Sequence, residues 1–331
     1  MKIIKAQILL FFLCSTFSFA QITIENQTPL LRTFGFIIGQ QNTLDYIKAN
    51  FPEQSNDAIM AELTFHKIYG EAVNEIKSEV KEIYGEAYND NLTDLKISFR
   101  TYLNSGKMTK NDAALFVEQV KTRSKGNIKS PYIATLLKYK YRHNPVDEFL
   151  ENKINIHSIK SYSNSEKIEF AVKIPKSWKE IDGVFPLVLK KFRSDYGMGK
   201  EIITISIDRL NYENNKQFNI NKVLMKEEIL KIIPENSHIL SVVSKKINNR
   251  QTGVLKYEEI NPEKGSDKKR IVTQYTILNQ NNLLRIDCAT YGTANENLRL
   301  KVKKLEQLYL LIFKSIHLKN NKENTIVTYK Q

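Results

Sequence analysis

The spacing of apolar residues changes near Leu150, and this change constrains the fold more than any other feature. Before it, apolar residues recur every three or four positions, as in helices with one buried face. After it, apolar and polar residues alternate in short runs, as in half-buried strands. We therefore expect an α+β protein, with an all-α helical bundle over residues 28–150 followed by an antiparallel β-sheet domain with packed helices over residues 154–318.

Capping and stop signals divide the first part into about five helices. Thr28-Pro29 resembles an N-cap followed by proline at the first helical position, and Pro52 ends that first helix. Ser55, Thr109 and Ser130-Pro131 are predicted to open further helices. Gly106 is predicted to close another, since glycine favours the end of a helix.

A short repeat lies within this helical part. The words IYGEAVN (68–74) and IYGEAYN (83–89) are fifteen residues apart on an apolar stripe of helical period. Fifteen residues at 3.6 per turn place the copies roughly 60° apart, so Ile68 and Ile83 can both face the core of one long helix. Gly70 and Gly85 then face away from the core and suggest a close approach by another element, or a kink. A ligand-binding repeat is the alternative.

Six runs in the second part favour strands, and short turns between them favour antiparallel pairing. The runs are 167–175, 201–210, 238–247, 252–260, 269–278 and 282–292, with a hairpin turn in LNQNNLL between the last two. Two helices are predicted among them, at 219–233 and 295–316.

The stretch IEFAVKIPKSWKEIDG (168–183) resembles the opening of PsbP-like domains: an amphipathic strand, then Pro175, then Trp178 and a polar turn. The strand order and the long C-terminal helix continue the resemblance over about 154–318. It implies an accessory or binding role and brings no catalytic residues. The helical bundle lies outside it, and residues 319–331 form a polar tail.

The first twenty residues have the pattern of a secretory signal peptide. Lys2 and Lys5 precede an apolar run, and Ser18-Phe19-Ala20 is a cleavage site before Gln21. Lipidation at Cys14 is the alternative, but the Phe-Phe-Leu before it is bulkier than lipoprotein processing favours. We expect an exported protein, periplasmic or extracellular, with no transmembrane segment in the mature chain.

Catalytic and metal-binding motifs are absent from the sequence, which predicts that the protein is not an enzyme and needs no cofactor. Glu62 and His66, four residues apart on a helix, could supply half of a metal site. Asp287-Cys288 suggests a nucleophile, although a small cysteine packed in the sheet is the simpler interpretation.

The mature chain is basic, with a formal net charge of +12 once Lys2 and Lys5 are removed from a total of +14. The candidate contacts for an anionic partner are Lys190, Lys191, Arg193, Lys268, Lys269 and Arg270. Further basic residues accompany them at Lys200, at Lys264, and at Arg299, Lys301, Lys303 and Lys304. Solvated charged faces are the alternative interpretation. No nucleic-acid motif accompanies the clusters.

Three functions remain open from the sequence. The leading hypothesis is a non-enzymatic accessory protein that binds a protein partner in the cell envelope. The second is a binder of anionic surfaces, such as lipid headgroups or acidic glycans, through its lysine clusters. The third is an enzyme with an unrecognised site.

Overall fold

The computed structural model describes residues 29–106, 108–163, 166–182, 187–209, 220–223, 226–260, 268–279 and 282–318. The predicted signal peptide and polar tail lie outside these residues. The chain forms two compact units that divide between His143 and Asn144, a few residues before the change of pattern at Leu150. The domain bounds remain a proposal, which a fragment can test.

The described residues of the first unit form five α-helices, as predicted. Their apolar stripes share one core, to which Leu44, Ile47, Ile76, Val80 and Leu136 contribute almost fully buried side chains. The helices are α1 (Pro29–Asn50), α2 (Pro52–Tyr84), α3 (Tyr88–Ser105), α4 (Lys110–Ser124) and α5 (Tyr132–Lys140).

Several helix ends follow the predicted signals. Thr109 caps α4 through a reciprocal capping box with Asp112, and Gly106 donates its N–H to the Tyr102 carbonyl at the end of α3. The prediction that Ser55 opens α2 is wrong. Pro52 both ends α1 and begins α2, because proline at a first helical position loses no intrahelical hydrogen bond.

The two repeat words do not lie on one long helix. Gly85, with φ 55° and ψ −127°, ends α2, and a short 3-10 turn, Gly85–Ala87, leads into α3. Ile83 is therefore 58 % exposed, although Ile68 packs on the core. Gly70 is buried and not turned to solvent, since a Cβ there would lie 2.8 Å from the His66 ring. The predicted kink accounts for Gly85, whereas the contact at Gly70 comes from a side chain of the same helix and not from another element.

The described strands of the second unit form two antiparallel sheets. The larger has the order β3-β4-β5-β9-β8-β7-β6, and the smaller has the order β1-β2-β10. The six predicted runs correspond to β2, β5, β6, β7, β8 and β9. The bounds are β1 (Ile154–Ser163), β2 (Glu166–Pro175), β3 (Lys179–Ile181), β4 (Val188–Arg193), β5 (Glu201–Arg209), β6 (Ser237–Ile247), β7 (Arg250–Ile260), β8 (Lys268–Asn279), β9 (Asn282–Thr293) and β10 (His317–Leu318).

Helices interrupt and follow these strands. The predicted helix at 219–233 is described as two pieces, α7 (Ile220–Val223) and α8 (Lys226–Ile232), after a short α6 (Pro145–Leu150). The predicted C-terminal helix is α9 (Leu298–Lys314). It begins at Leu298 because the Asn297 side chain accepts a hydrogen bond from the Leu300 N–H at 3.3 Å.

The seven-stranded sheet has helices against both faces. On one face, α9 packs over the core strands, where the Phe313 ring stacks on Tyr275 at 4.7 Å and the Tyr309 and Thr290 hydroxyls are 2.8 Å apart. On the other face, Ile229 of α8 packs near Leu255. The predicted α+β class, a helical bundle followed by an antiparallel sheet with packed helices, is confirmed.

Candidate functional site

Antiparallel pairing brings several strand termini to one end of the seven-stranded sheet. Arg193 at the end of β4 is paired with Ile202 of β5, Lys268 at the start of β8 with Thr293 of β9, and Ile260 at the end of β7 with Lys269. The strands β4, β5, β9, β8 and β7 are consecutive neighbours. Four spacings of about 4.8 Å therefore separate β4 from β7 by about 19 Å.

The first turns of α9 lie over the same end. A Cβ on Gly292 of β9 would lie 2.7 Å from the Leu298 side chain, so the helix starts in close contact with the strand that precedes it. Lys301 Nζ is 2.6 Å from Glu201 of β5, and Arg299 reaches Glu258 of β7 at 3.3 Å. These ion pairs fix the basic start of α9 above the strand ends.

Basic residues that are distant in sequence thus meet at one place. We name this end of the sheet the basic end. It consists of Lys200, Lys268, Lys269, Arg299 and Lys301, of Lys303 and Lys304 in the following turn of α9, and of Arg193 and Arg270, whose side chains lie on the sheet face opposite α9. Of the predicted contacts, Arg193, Lys268, Lys269 and Arg270 belong to it. The convergence itself was not predicted, because it depends on strand order and register.

Lys190 and Lys191 lie apart from the basic end. They are opposite Ile205 and Thr204 in the body of the sheet, and three residues of strand place Lys190 about 10 Å from Arg193. Lys190 also forms an ion pair with Glu180.

Four cations of the basic end have carboxylate partners. Lys200 contacts Glu296 at 2.6 Å, and this hydrogen bond is the main reason that the pKa of Glu296 lies below its ordinary value. Lys301, Arg299 and Arg270 are paired as well. In contrast, Lys303 and Lys304 are exposed and Lys269 is half-buried. Within the described ranges these three have no carboxylate at ion-pair distance.

Arg270 takes part in a buried polar network on the sheet face opposite α9. Its Nε donates to Glu259 and its guanidinium donates to the Tyr291 hydroxyl at 2.9 Å. Gln274 donates to Asp287 at 2.8 Å in the same strands, and burial raises the pKa of Asp287. The network links β7, β8 and β9, so Arg270 also stabilises the strands that carry the basic end.

Cys288 does not have the environment of a nucleophile. The thiol is 1 % exposed in the apolar core, and burial, followed by the nearby Asp287 charge, raises the pKa of Cys288 well above its ordinary value. A reactive thiolate needs the opposite shift. Because neighbours along a strand point to opposite faces, the Asp287 carboxyl cannot act as its base. Core packing explains this cysteine.

Glu62 and His66 do not form a metal site. The Glu62 carboxylate accepts hydrogen bonds from Gln41 at 2.6 Å and Lys48 at 2.9 Å, while the His66 ring lies against Gly70. In the part of the chain that the structure describes, no group of three histidine, cysteine or acidic side chains could hold a metal ion.

An open cleft of about 660 Å³ lies beside His66 on the first unit. Its lining includes several glutamates, and Arg142 crosses it to reach Glu75 at 3.0 Å and Glu79 at 3.4 Å. The Arg142 hydrogen bond is the main reason that the pKa of Glu75 is lowered. Arg142 thus neutralises part of the acidic lining of the cleft.

The positive charge is concentrated in the second unit. Residues 144–331 contain 32 Lys and Arg against 22 Asp and Glu, whereas residues 21–143 contain 16 against 14. Among the described helices, none is both long enough and apolar enough to cross a bilayer.

Comparisons with known proteins find no matching family and no matching curated relative. Similar solved structures include cyanobacterial PsbP from Synechocystis, with 14% identity over 50% of this chain and 92% of that chain, at a TM-score of 0.33. The Ran-binding protein Mog1p of Saccharomyces cerevisiae matches at 10% identity over 50% of this chain and 95% of that chain, at a TM-score of 0.33.

LpqN of Mycobacterium tuberculosis, described as involved in cell envelope biogenesis, matches at 10% identity over 54% of this chain and 98% of that chain, at a TM-score of 0.34. A PsbP protein is thus among the structures that about half of this chain resembles, in agreement with the resemblance in its sequence.

Proposed function

We propose that this chain is an exported, non-enzymatic binding protein of the cell envelope, and that the basic end holds an anionic partner. The observation that carries the proposal is the convergence of three sequence-distant basic clusters on one end of the sheet. The burial and raised pKa of Cys288 support a binding role over a thiol-dependent enzyme.

The charge balance of the basic end favours an anionic partner. Solvated lysines scattered over a surface repel one another weakly, because salt screens charges more than about 8 Å apart. The basic end has nine cations, of which four are paired with carboxylates, so it keeps a net positive charge that attracts anions. Lys269, Lys303 and Lys304 keep charge that the described carboxylates do not neutralise.

Retention on an immobilised sulfated polysaccharide, eluted by a salt gradient, tests this surface. The double variant Lys303→Glu/Lys304→Glu should elute at clearly lower salt than the wild type. The matched control is Lys245→Glu/Lys246→Glu, which reverses two exposed lysines on β6. Lys246 is paired with Gln251 near the start of β7, about 30 Å along the strand from Ile260.

The control should elute close to the wild type. Equal shifts in both double variants would mean that net charge alone governs retention, and the assignment of the basic end would be wrong.

Export is part of the proposal and has a separate test. The signal pattern of residues 1–20 supports a mature protein that begins at Gln21 and lies in the periplasm or outside the cell. The intact mass and N-terminal sequence of the exported protein measure this. A product that keeps residues 1–20, or that carries lipid on Cys14, would contradict it.

A further inference from the structure

We infer that the anionic partner of the basic end is a lipid bilayer surface, an inference that rests on the function proposed above. Three large apolar side chains are exposed at the same end, among its cations. They are Met198, Ile260 and Leu300, with 65%, 56% and 55% of their surfaces exposed.

The positions of these side chains follow from the fold. Met198 lies in the turn between β4 and β5, where its N–H donates to the Asp195 carbonyl. Ile260 is the last residue of β7 and is paired with Lys269. Leu300 is in the first turn of α9, between Arg299 and Lys301. Arg193 donates to the carbonyl of Gly199, the residue after Met198. Each apolar side chain therefore has a basic residue nearby.

Their separation favours a bilayer over a protein partner. Met198 is in the turn that joins β4 to β5 and Ile260 is on β7, which lies about 14 Å from β5 and about 19 Å from β4. The basic starts of β8 and α9 lie between them. A protein interface has a contiguous, tightly packed core from which charged residues are depleted. Side chains that are apart and flanked by lysine or arginine can instead enter the boundary between headgroups and acyl chains one by one.

The surrounding cations suit the same surface. Anionic headgroups attract basic residues that lie within a Debye length, and lysine and arginine stems can cover apolar surface while their charges stay among the headgroups. A soluble polyanion would contact only the cations, whereas an anionic bilayer would contact the cations and the apolar side chains. The apolar side chains therefore distinguish a bilayer from a soluble polyanion.

Co-sedimentation of the mature full-length chain with vesicles tests the inference. The vesicles contain phosphatidylcholine alone or phosphatidylcholine with phosphatidylglycerol. We expect binding to the mixed vesicles only, weakening as salt is added. Lys303→Glu/Lys304→Glu should lower the apparent affinity at least about tenfold, while Lys245→Glu/Lys246→Glu should change it much less.

The variants Met198→Ser and Leu300→Ser test insertion. Both positions are exposed, so the fold should be retained, and the fluorescence of Trp178 checks this. Each should weaken binding to mixed vesicles severalfold while leaving elution from the sulfated polysaccharide unchanged.

The outcomes separate the two proposals. Retention on the polysaccharide through the basic end, without vesicle binding, would overturn the lipid inference and leave the proposed function standing. Failure in both assays would overturn both. Vesicle binding that is indifferent to Met198→Ser and Leu300→Ser, or equally sensitive to the β6 control pair, would also overturn the inference.

Discussion

The carboxyl group of Glu148 should make the second unit less stable as pH rises. Glu148, in α6, is 4% exposed and accepts hydrogen bonds from the Ser177 N–H at 2.8 Å and from the Ser177 hydroxyl at 2.6 Å. Burial raises the pKa of Glu148 from 4.5 to about 7, although these hydrogen bonds act in the opposite direction. Between these two pKa values the folded state therefore keeps a proton on Glu148 that the unfolded chain releases.

The sign and size of the effect follow from linkage. A carboxyl whose pKa is raised on folding contributes stability that is complete below pH 4.5 and is lost as pH rises through about 7. The gap of roughly 2.5 between the two pKa values corresponds to about 3 kcal/mol when the group is fully ionised in both states. Most of that loss, about 2–3 kcal/mol, falls between about pH 5 and about pH 8.

The substitution Glu148→Gln isolates this contribution. The amide keeps the shape and can still accept from the Ser177 N–H, but it does not ionise. Urea unfolding at about pH 5 and at about pH 8, followed by the fluorescence of Trp178, measures the free energy of unfolding. Trp178 is the only tryptophan of the chain and follows Ser177 directly, so it reports on this unit.

Relative to the wild type, the Gln variant should gain about 2–3 kcal/mol on going from about pH 5 to about pH 8, because titrations shared by both proteins cancel. Glu148→Ala should be destabilised at the lower pH, since it also removes the hydrogen bonds. If the difference between Gln variant and wild type is the same at both pH values, desolvation does not control this carboxyl and the reasoning is refuted.

Three further predictions concern the backbone, the thiol and the domain bounds. Gly85→Ala should lower the free energy of unfolding by about 1–2 kcal/mol, because φ is +55° there. The control Gly35→Ala, inside α1 with open space around it, should raise that free energy by up to about 1 kcal/mol. Equal changes in thermal unfolding for the two variants would contradict this. Native Cys288 should react slowly with iodoacetamide, and fast labelling would revive the nucleophile hypothesis. A fragment from Asn144 to Leu318 should fold alone with native Trp178 fluorescence, and an unfolded fragment would mean that the two units depend on each other.

Local sequence patterns determined the secondary-structure class of each part, because they show which face of a single helix or strand is buried. The helical period before Leu150 and the alternation after it record which side chains are buried, and burial is the main force that orders helices and strands. Thr109 and Gly106 mark helix ends through hydrogen bonds only a few residues long. Such hydrogen bonds join residues that are close in sequence, so they can be predicted without the tertiary structure.

Weak local patterns hid several elements. β3 has three residues, and in the six residues of β4 only Phe192 is fully buried. β1 is rich in polar residues and gains its place by pairing along its whole length with β2. Their strand conformation depends on partners elsewhere in the chain, so their own sequence carries little signal.

Tertiary structure alone decided where the basic residues meet. Lys268 and Lys303 are 35 positions apart, and Arg193 is farther still, so no spacing rule relates them. Their meeting depends on the order β4-β5-β9-β8-β7 and on a register set by backbone hydrogen bonds between distant strands. A shift of one residue in a strand would turn the side chains of that strand to the other face. The sequence determined the charges and the elements that carry them, and the nonlocal pairing of the sheet determined the surface.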